Sequence, residues 1–141
     1  MKRFYLLLLA ALLFSHSSQS QTMALRKANK QYSRYAYAPA INHYKRVLSK
    51  EDNYEVKIKL ADCYRMINDP VNAEYWYSQA MRGNGVLPIQ KLYYAQMLQQ
   101  NGKTEEAKSW YSQYSMAMGN DSRGIRGLQA CENPAQFYRD S

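Results

Sequence analysis

Apolar and small residues recur at helical spacing along this chain, in paired segments that short polar breaks separate. The clearest pair lies in 60–80. In its second half, Ala73, Tyr77 and Ala80 stand at i, i+4 and i+7, the spacing of one buried helical face. The dipeptide at 69–70, Asp-Pro, is typical of an N-cap followed by proline in the first helical position. The pattern predicts two short amphipathic helices around a sharp break.

The rest of the chain repeats this arrangement. A polar link at 50–53 and a Gly-Asn-Gly segment at 83–85 separate successive pairs, and glycine permits the positive φ that often follows a helix. No strand-like alternation is long enough to compete, so the pattern predicts an all-α chain. Thr104 and either Asp121 or Ser122 are candidate N-caps. Helices are expected over 22–34, 37–49, 54–67, 70–82, 88–101 and 104–117, with one more over 123–131.

The same residue types return at a fixed interval. Alanine and tyrosine at 40 and 44 recur at 73 and 77, and again at 107 and 111, in steps of 33 and 34 residues. A second series, the alanines at 28, 61 and 95, has the same two steps. A period of this length is typical of repeat arrays. The sequence therefore predicts three stacked helix pairs.

The middle unit has a large, a small and then an aromatic residue in its first helix, and a small–aromatic–small run in its second. These residues are Leu60, Ala61, Tyr64, Ala73, Tyr77 and Ala80. The unit resembles the tetratricopeptide repeat, a helix–turn–helix of about 34 residues. The third unit departs at Tyr114, where the family has a small residue, and the first lacks the leading tryptophan and the turn glycine. The resemblance covers about 24–117 and implies a right-handed superhelical array of about three units with a C-terminal capping helix.

The first twenty residues have the composition of a targeting segment. Lys2 and Arg3 give a positive start, 4–14 is an almost unbroken apolar run and 15–20 is small and polar. This order predicts a secretory signal peptide that is cleaved at its end. An uncleaved anchor is disfavoured because the apolar run is short for a bilayer. The protein is therefore expected to be exported.

The last helix is expected to cap the array. Ile125 and Leu128 are expected to cover the apolar face of the third unit, although Gly124 and Gly127 should weaken the helix. The expected boundaries are 1–20 for the signal peptide, 21–118 for the array (units of about 21–53, 54–87 and 88–118), 119–132 for the capping helix and 133–141 for a tail or the start of a linker to a missing domain.

Two stretches carry a narrower resemblance. Residues 24–48 and 131–141 resemble the start and the end of the repeats in large exported envelope proteins of Gram-negative bacteria. In that family a WD40-like propeller and an OmpA-type peptidoglycan-binding domain follow the repeats, on the periplasmic side of the outer membrane. The resemblance implies a periplasmic, outer-membrane-associated scaffold whose partner is another envelope protein or a peptide segment. Neither later domain is in this sequence, so a fragment and a stand-alone relative both remain open.

Positive charge is concentrated at the start of the array. The chain has a formal charge of +8, and seven basic residues lie between the signal segment and the first acid, Glu51. Such a surface attracts an anionic membrane, an acidic protein or nucleic acid, but export argues against nucleic acid. Electrostatic association with an anionic membrane or cell-wall surface is an alternative function, and a solvated helix face is the simpler alternative. The basic patch is Arg26, Lys27, Lys30, Arg34, Lys45, Arg46 and Lys50.

No set of residues typical of catalysis is found. The sequence has no nucleophile elbow, phosphate-binding loop or dinucleotide fingerprint, and His43 has no cysteine or carboxylate at ligand spacing. We therefore expect no enzymatic activity, no cofactor and no metal site. Cys63 lies within a predicted helix, which favours a buried free thiol, although a bridge to Cys131 remains open because export permits disulfides.

The chain is rich in tyrosine, with 14 residues of this type. The repeat pattern assigns some of its aromatic residues to the core and leaves others to pack between units, while an aromatic binding groove is the alternative. The core group is Tyr44, Tyr64, Tyr77 and Tyr111, and the between-unit group is Tyr75, Trp76 and Trp110.

The resemblance also implies a ligand surface, the concave groove lined by the first helix of each unit. Some members bind a peptide carboxylate there through a lysine and an asparagine one helical turn apart. This chain has Leu25 in place of the lysine, followed by Asn29, which argues against the binding of chaperone tails. The oligomeric state is not predicted. The groove is expected to be lined by Leu25, Asn29, Tyr32, Ser33, Glu55, Ile58, Asp62, Arg65, Met66, Leu92, Gln96, Gln99 and Gln100.

Overall fold

The computed structural model of the chain describes residues 22–119 and 121–137, and the predicted signal peptide lies outside them. Within these residues the secondary structure is entirely helical, and no helix is long and apolar enough to span a membrane. The helices are α1 (22–33), α2 (Tyr37–Leu48), α3 (Tyr54–Met66), α4 (Pro70–Ala80), α5 (Pro88–Gln100), α6 (Thr104–Met118), α7 (Ser122–Glu132) and α8 (Pro134–Phe137).

Side-chain caps explain where several helices begin. The Asn53 side chain accepts a hydrogen bond from the backbone N–H of Val56 at 3.1 Å and starts α3. Asp69 does the same for α4, which opens on Pro70 as predicted. Asp121 caps α7. The prediction for Thr104 was wrong, because it is the first residue of α6 and the cap before it makes no side-chain bond. The predicted helix limits otherwise agree to within two residues, and only the short α8 was not expected.

The two helices of each pair are joined by the same turn. Tyr35, Asn68 and Gly102 occupy equivalent positions with φ of 60°, 60° and 77°. In each turn the next backbone N–H donates to a carbonyl oxygen five residues earlier, at 2.8–2.9 Å. This is the bond of a Schellman motif, whose left-handed residue is usually glycine. The glycine that the first unit lacks is thus replaced by a tyrosine in a conformation that disfavours it.

The core consists of two adjoining apolar clusters. The N-terminal cluster is built from α1, α2 and α3 around Tyr44 and Leu60, and the C-terminal cluster from α3 to α7 around Tyr77 and Tyr111. Trp76 contacts both clusters, as expected of a residue between units. Of the four tyrosines assigned to the core from the repeat pattern, Tyr44, Tyr77 and Tyr111 are buried in the clusters, whereas Tyr64 is only partly buried between them. Tyr75, predicted to pack between units, is exposed. Cys63 and Cys131 are buried, free and in different clusters.

The helix α7 packs on the last unit through small residues. Ile125 is exposed, so the prediction that it covers the apolar face was wrong, and Leu128 is partly buried. Gly124 lies against Tyr114 and Gly127 lies against Tyr111; a Cβ at Gly127 would come within 2.3 Å of the Tyr111 ring. The two glycines that lower helix propensity are therefore the ones that allow α7 to approach α6.

Candidate functional site

The first helices of the pairs, with α7, form a row whose side chains contact one another across the repeats. We call this surface the first-helix face. Tyr32 of α1 donates a hydrogen bond to Asp62 of α3, and Tyr54 of α3 donates one to Gln90 of α5 at 2.6 Å. Residues of α5 and α7 line a common cavity. The second helices lie behind this row and reach it through their tyrosine hydroxyl groups. The face is therefore continuous along the array.

At its N-terminal end the polar groups satisfy one another. The Oδ1 of Asn29 accepts hydrogen bonds from the Tyr44 hydroxyl and from the Lys59 ammonium, both at 2.9 Å. Three helices are thus joined through one side-chain oxygen. Burial also raises the pKa of Tyr44 well above its ordinary value, so its hydroxyl remains a donor.

At the middle of the face, the equivalent acceptor is the Asp62 carboxylate. Its carboxylate accepts from the Tyr32 hydroxyl at 3.2 Å, from the Tyr77 hydroxyl, and from Arg65 Nη2 at 3.5 Å. Burial and the neighbouring Asp62 charge raise the pKa of both tyrosines, which keeps both hydroxyl groups protonated. Asp62 is therefore an acceptor that three side chains of the protein share.

Arg65 connects this group to the next repeat. Its Nε donates to the Tyr77 hydroxyl at 3.2 Å, and its guanidinium carbon lies 3.9 Å from the centre of the Tyr93 ring. A guanidinium over an aromatic face is a cation–π contact. The Arg65 side chain keeps 24% of its surface exposed, so the stacked pair is accessible from the groove.

The C-terminal end is a cavity of about 500 Å³ between α5, α6 and α7. The Tyr111 hydroxyl donates to Gln99 Oε1 at 2.7 Å on one wall. The opposite wall is formed by α7. The lining residues are Gln96, Gln99, Gln100, Tyr111, Arg123, Arg126, Gly127 and Ala130.

Comparison with solved structures identifies the architecture. The first TPR domain of Spaghetti (RPAP3), solved with the HSP90 peptide SRMEEVD, is 20% identical over 83% of this chain and 94% of its own, with a TM-score of 0.69. The fold is that of a tetratricopeptide-repeat array. The second TPR domain of human RPAP3, in complex with an HSP70 peptide, is 19% identical, covers 81% and 97% of the two chains and has a TM-score of 0.68.

A bacterial chaperone is also similar in structure to this chain. The type III secretion chaperone SycD of Yersinia enterocolitica, in complex with a peptide of the translocator YopD, is 18% identical over 81% and 93% of the chains, with a TM-score of 0.67. No family model and no curated protein matches the sequence. At these identities the likeness establishes the fold.

Two of the residues predicted to line the groove lie in the tetratricopeptide core instead. Ile58 is 8% exposed and Leu92 is 1% exposed, too little to form a binding surface. The residues next to them in sequence, Lys59 and Tyr93, reach the first-helix face. Ile58 and Lys59 lie four and three residues before Asp62, and Leu92 and Tyr93 lie four and three residues before Gln96. Helical spacing alone therefore could not tell which residue of each pair is buried. The other predicted residues, which keep partly or fully exposed surface, are Leu25, Asn29, Tyr32, Ser33, Glu55, Asp62, Arg65, Met66, Gln96, Gln99 and Gln100.

The basic patch lies on α1, on α2 and in the turns that follow these two helices. All seven of its residues are exposed, and none forms an ion pair with another residue of 22–119 or 121–137. The charges of Lys27 and Arg46 both act on His43. Burial and these two charges lower the pKa of His43, so the histidine adds no positive charge to the patch at neutral pH.

Proposed function

We propose that this chain is a non-enzymatic tetratricopeptide module that binds a peptide segment of another protein on its first-helix face. The observation that carries the proposal is the accessible stack of Arg65 on Tyr93 at the middle of that face. Arginine and tyrosine are enriched among the residues that dominate interface energies. The three structural neighbours described above are each in complex with a peptide, which supports the same use of the fold here.

This chain is not expected to bind the same peptides as those neighbours. Leu25 stands where a carboxylate-binding lysine is expected, and it is partly buried. The proposed ligand is therefore a segment that is recognised through the stack and the polar groups C-terminal to it, rather than through the first repeat.

A peptide-display selection on the full chain tests this function. Tyr93→Ser should weaken the selected peptides strongly, because it removes the ring under Arg65. Tyr35→Ser is the matched control, since Tyr35 is exposed but lies in the α1–α2 turn. If the two variants bind the selected peptides with equal affinity, or if the selection yields no peptide, binding at the first-helix face is refuted.

We further infer that the protein acts in the bacterial periplasm, at the outer membrane, and that its partner is another protein of the envelope. This inference is supported by the sequence of 1–20 and by the resemblance of 24–48 and 131–141 to OmpA-family envelope proteins. An immunoblot of fractionated cells with an antibody to 54–117 tests it. A band in the cytoplasmic fraction would contradict export.

The basic patch supports a second candidate function, peripheral binding to an anionic membrane or cell-wall surface. The supporting observation is that its charges are exposed and unpaired within the described chain. Co-sedimentation with phosphatidylglycerol vesicles should decrease steeply between about 0.05 and 0.5 M salt. Lys27→Glu should reduce it and Arg82→Glu should not. Salt-independent binding, or none to these vesicles, would remove this candidate.

A further inference from the structure

We propose that the turn between α1 and α2 docks on the surface of an anionic phospholipid bilayer, with the Tyr35 ring inserted among the lipid headgroups. The inference rests on the second candidate function, peripheral membrane binding by the basic patch. It adds which edge of the array faces the bilayer and a contact that charge alone does not supply. It is carried by three observations: the strained and exposed Tyr35, the row of rings behind it, and a row of basic residues that leads to it.

The first observation is the backbone conformation of Tyr35. Its φ of 60° lies in the left-handed region, where a side chain with a Cβ is disfavoured. The equivalent residues of the other two turns are Asn68 and Gly102, which tolerate this region better. The Tyr35 side chain is 79% exposed, so burial of the ring does not offset the strain. Backbone strain of this kind is concentrated at functional sites, which points to a use for the exposed ring.

The second observation is the row of aromatic rings that supports Tyr35. Its ring centre lies 6.3 Å from that of Tyr37, and Tyr37 lies 5.8 Å from Tyr32, in edge contacts. Tyr32 in turn contacts the fully buried Tyr44 at 6.4 Å. The row connects the exposed ring to the N-terminal cluster and holds it at the edge of the array. A tyrosine ring with an apolar body and a polar hydroxyl is typical of the membrane–water interface.

The third observation is the alignment of positive charge. Lys27 and Lys30 on α1, and Arg34 directly after it, stand at i, i+3 and i+7, the spacing of one helical side. The Arg34 N–H donates to the Gln31 carbonyl at 3.1 Å and so extends the last turn of the helix. The basic row therefore ends next to Tyr35. The first helix pair contains no acidic residue, and a flat anionic surface complements it.

This docking surface is separate from the first-helix face. Lys30 directly follows Asn29, so the two side chains project about 100° apart around α1. The stack of Arg65 on Tyr93 lies in the second and third helix pairs. A bilayer at the first pair therefore leaves the first-helix face open to a peptide.

The test is co-sedimentation of residues 21–141, the chain expected after signal cleavage, with mixed phosphatidylglycerol and phosphatidylcholine vesicles. The apolar run at 4–14 is left out because it would partition into vesicles by itself. Tyr35→Asn installs the residue type that the second turn has at Asn68 and should preserve the turn. It should weaken vesicle binding about fivefold, as expected when partial burial of one aromatic side chain is lost.

Two further variants serve as controls. Tyr35→Trp retains an interfacial aromatic ring and should bind at least as tightly as the parent. Tyr75→Gln removes an exposed tyrosine on α4, outside the basic patch, and should bind like the parent. Tyr35→Asn should unfold at no lower temperature than the parent, so its weaker binding would not reflect a loss of folding.

The outcomes separate this inference from the function on which it rests. If the parent does not bind the vesicles, both fail. If the parent binds and Tyr35→Asn binds as tightly as Tyr75→Gln, peripheral binding by charge stands and the Tyr35 contact is wrong. Weak binding of Tyr35→Trp would equally exclude an interfacial ring. If Tyr35→Asn loses the same affinity for soluble polyphosphate, the ring contacts the anion itself and insertion into a bilayer is wrong.

Discussion

The two ends of the first-helix face are built from equivalent positions but use them differently. Asn29 and Asp62 each accept the hydroxyl of the tyrosine 15 residues later, and each also contacts a cation. Gln96 stands at the same position of the third repeat without such partners in the described chain, because Tyr111 has moved to Gln99.

This difference separates support from recognition. A polar group that the protein already satisfies gains little from a ligand, since the new bond replaces an existing one. A group without a protein partner exchanges only water for the ligand, so no contact within the protein is lost. We therefore expect the N-terminal end to hold adjacent repeats together and the C-terminal end to provide the specific polar contacts to a ligand.

The largest expected effect comes from removing the central acceptor. Asp62→Ala removes the acceptor of the buried Tyr77 hydroxyl, the partly buried Tyr32 hydroxyl and Arg65, and should lower the free energy of unfolding by about 3 kcal/mol. Gln96→Ala, at the equivalent position, should change it by less than about 0.5 kcal/mol. Urea denaturation of both variants measures the contrast, and similar losses would show that the two positions are alike.

The tyrosine hydroxyl groups give a smaller version of the same contrast. Tyr77→Phe removes a donor to a charged acceptor and should cost about 2 kcal/mol, whereas Tyr111→Phe removes a neutral hydrogen bond and should cost about 1 kcal/mol. Both rings stay in place, so packing is unchanged. Denaturation curves with equal slopes would give the loss in the free energy of unfolding for each variant. A larger loss for Tyr111→Phe than for Tyr77→Phe would mean that the C-terminal end, not the N-terminal end, holds the repeats together.

The turns within the first and third helix pairs differ in the residue that adopts a positive φ. Tyr35 and Gly102 are equivalent residues with positive φ, but only the tyrosine is strained there. Tyr35→Gly should raise the stability by about 1 kcal/mol, and Gly102→Ala should lower it by a similar amount. Thermal unfolding tests both substitutions. A loss of stability in Tyr35→Gly would mean that its edge contact with Tyr37 outweighs the strain.

The smallest effect concerns the thiols of the two core clusters. Burial raises the pKa of Cys63 to about 12, so its thiol should stay protonated in the folded protein at pH 8 and react with a disulfide reagent only after unfolding. The unfolded thiol ionises at a lower pH than the folded one. The free energy of unfolding should therefore decrease as the pH rises above the ordinary pKa of a cysteine thiol. Rapid labelling of Cys63 in the folded protein would contradict its place in the N-terminal cluster.

The sequence predicted the helices well because the repeat period and the caps are local signals. It predicted less well which residues line the first-helix face. Ile58 and Lys59, like Leu92 and Tyr93, are neighbours that both fit the helical spacing, and only packing decides which is buried. The shift of Tyr111 from Gln96 to Gln99 has no sequence signal, because both glutamines can accept its hydroxyl. Ile125 was misassigned because apolar pattern favours large residues, whereas the close contact of α7 required Gly127.

The most direct test is the side-chain amide NMR spectrum of the ¹⁵N-labelled full chain during titration with a peptide selected by display on that chain. We expect the signals of Gln96 and Gln100 to shift with a common affinity, while the signal of Asn29 stays in place because Tyr44 and Lys59 hold this side chain within the supporting end of the face. A shift of Asn29 with unchanged Gln96 and Gln100 would contradict the account and move recognition to the opposite end of the face.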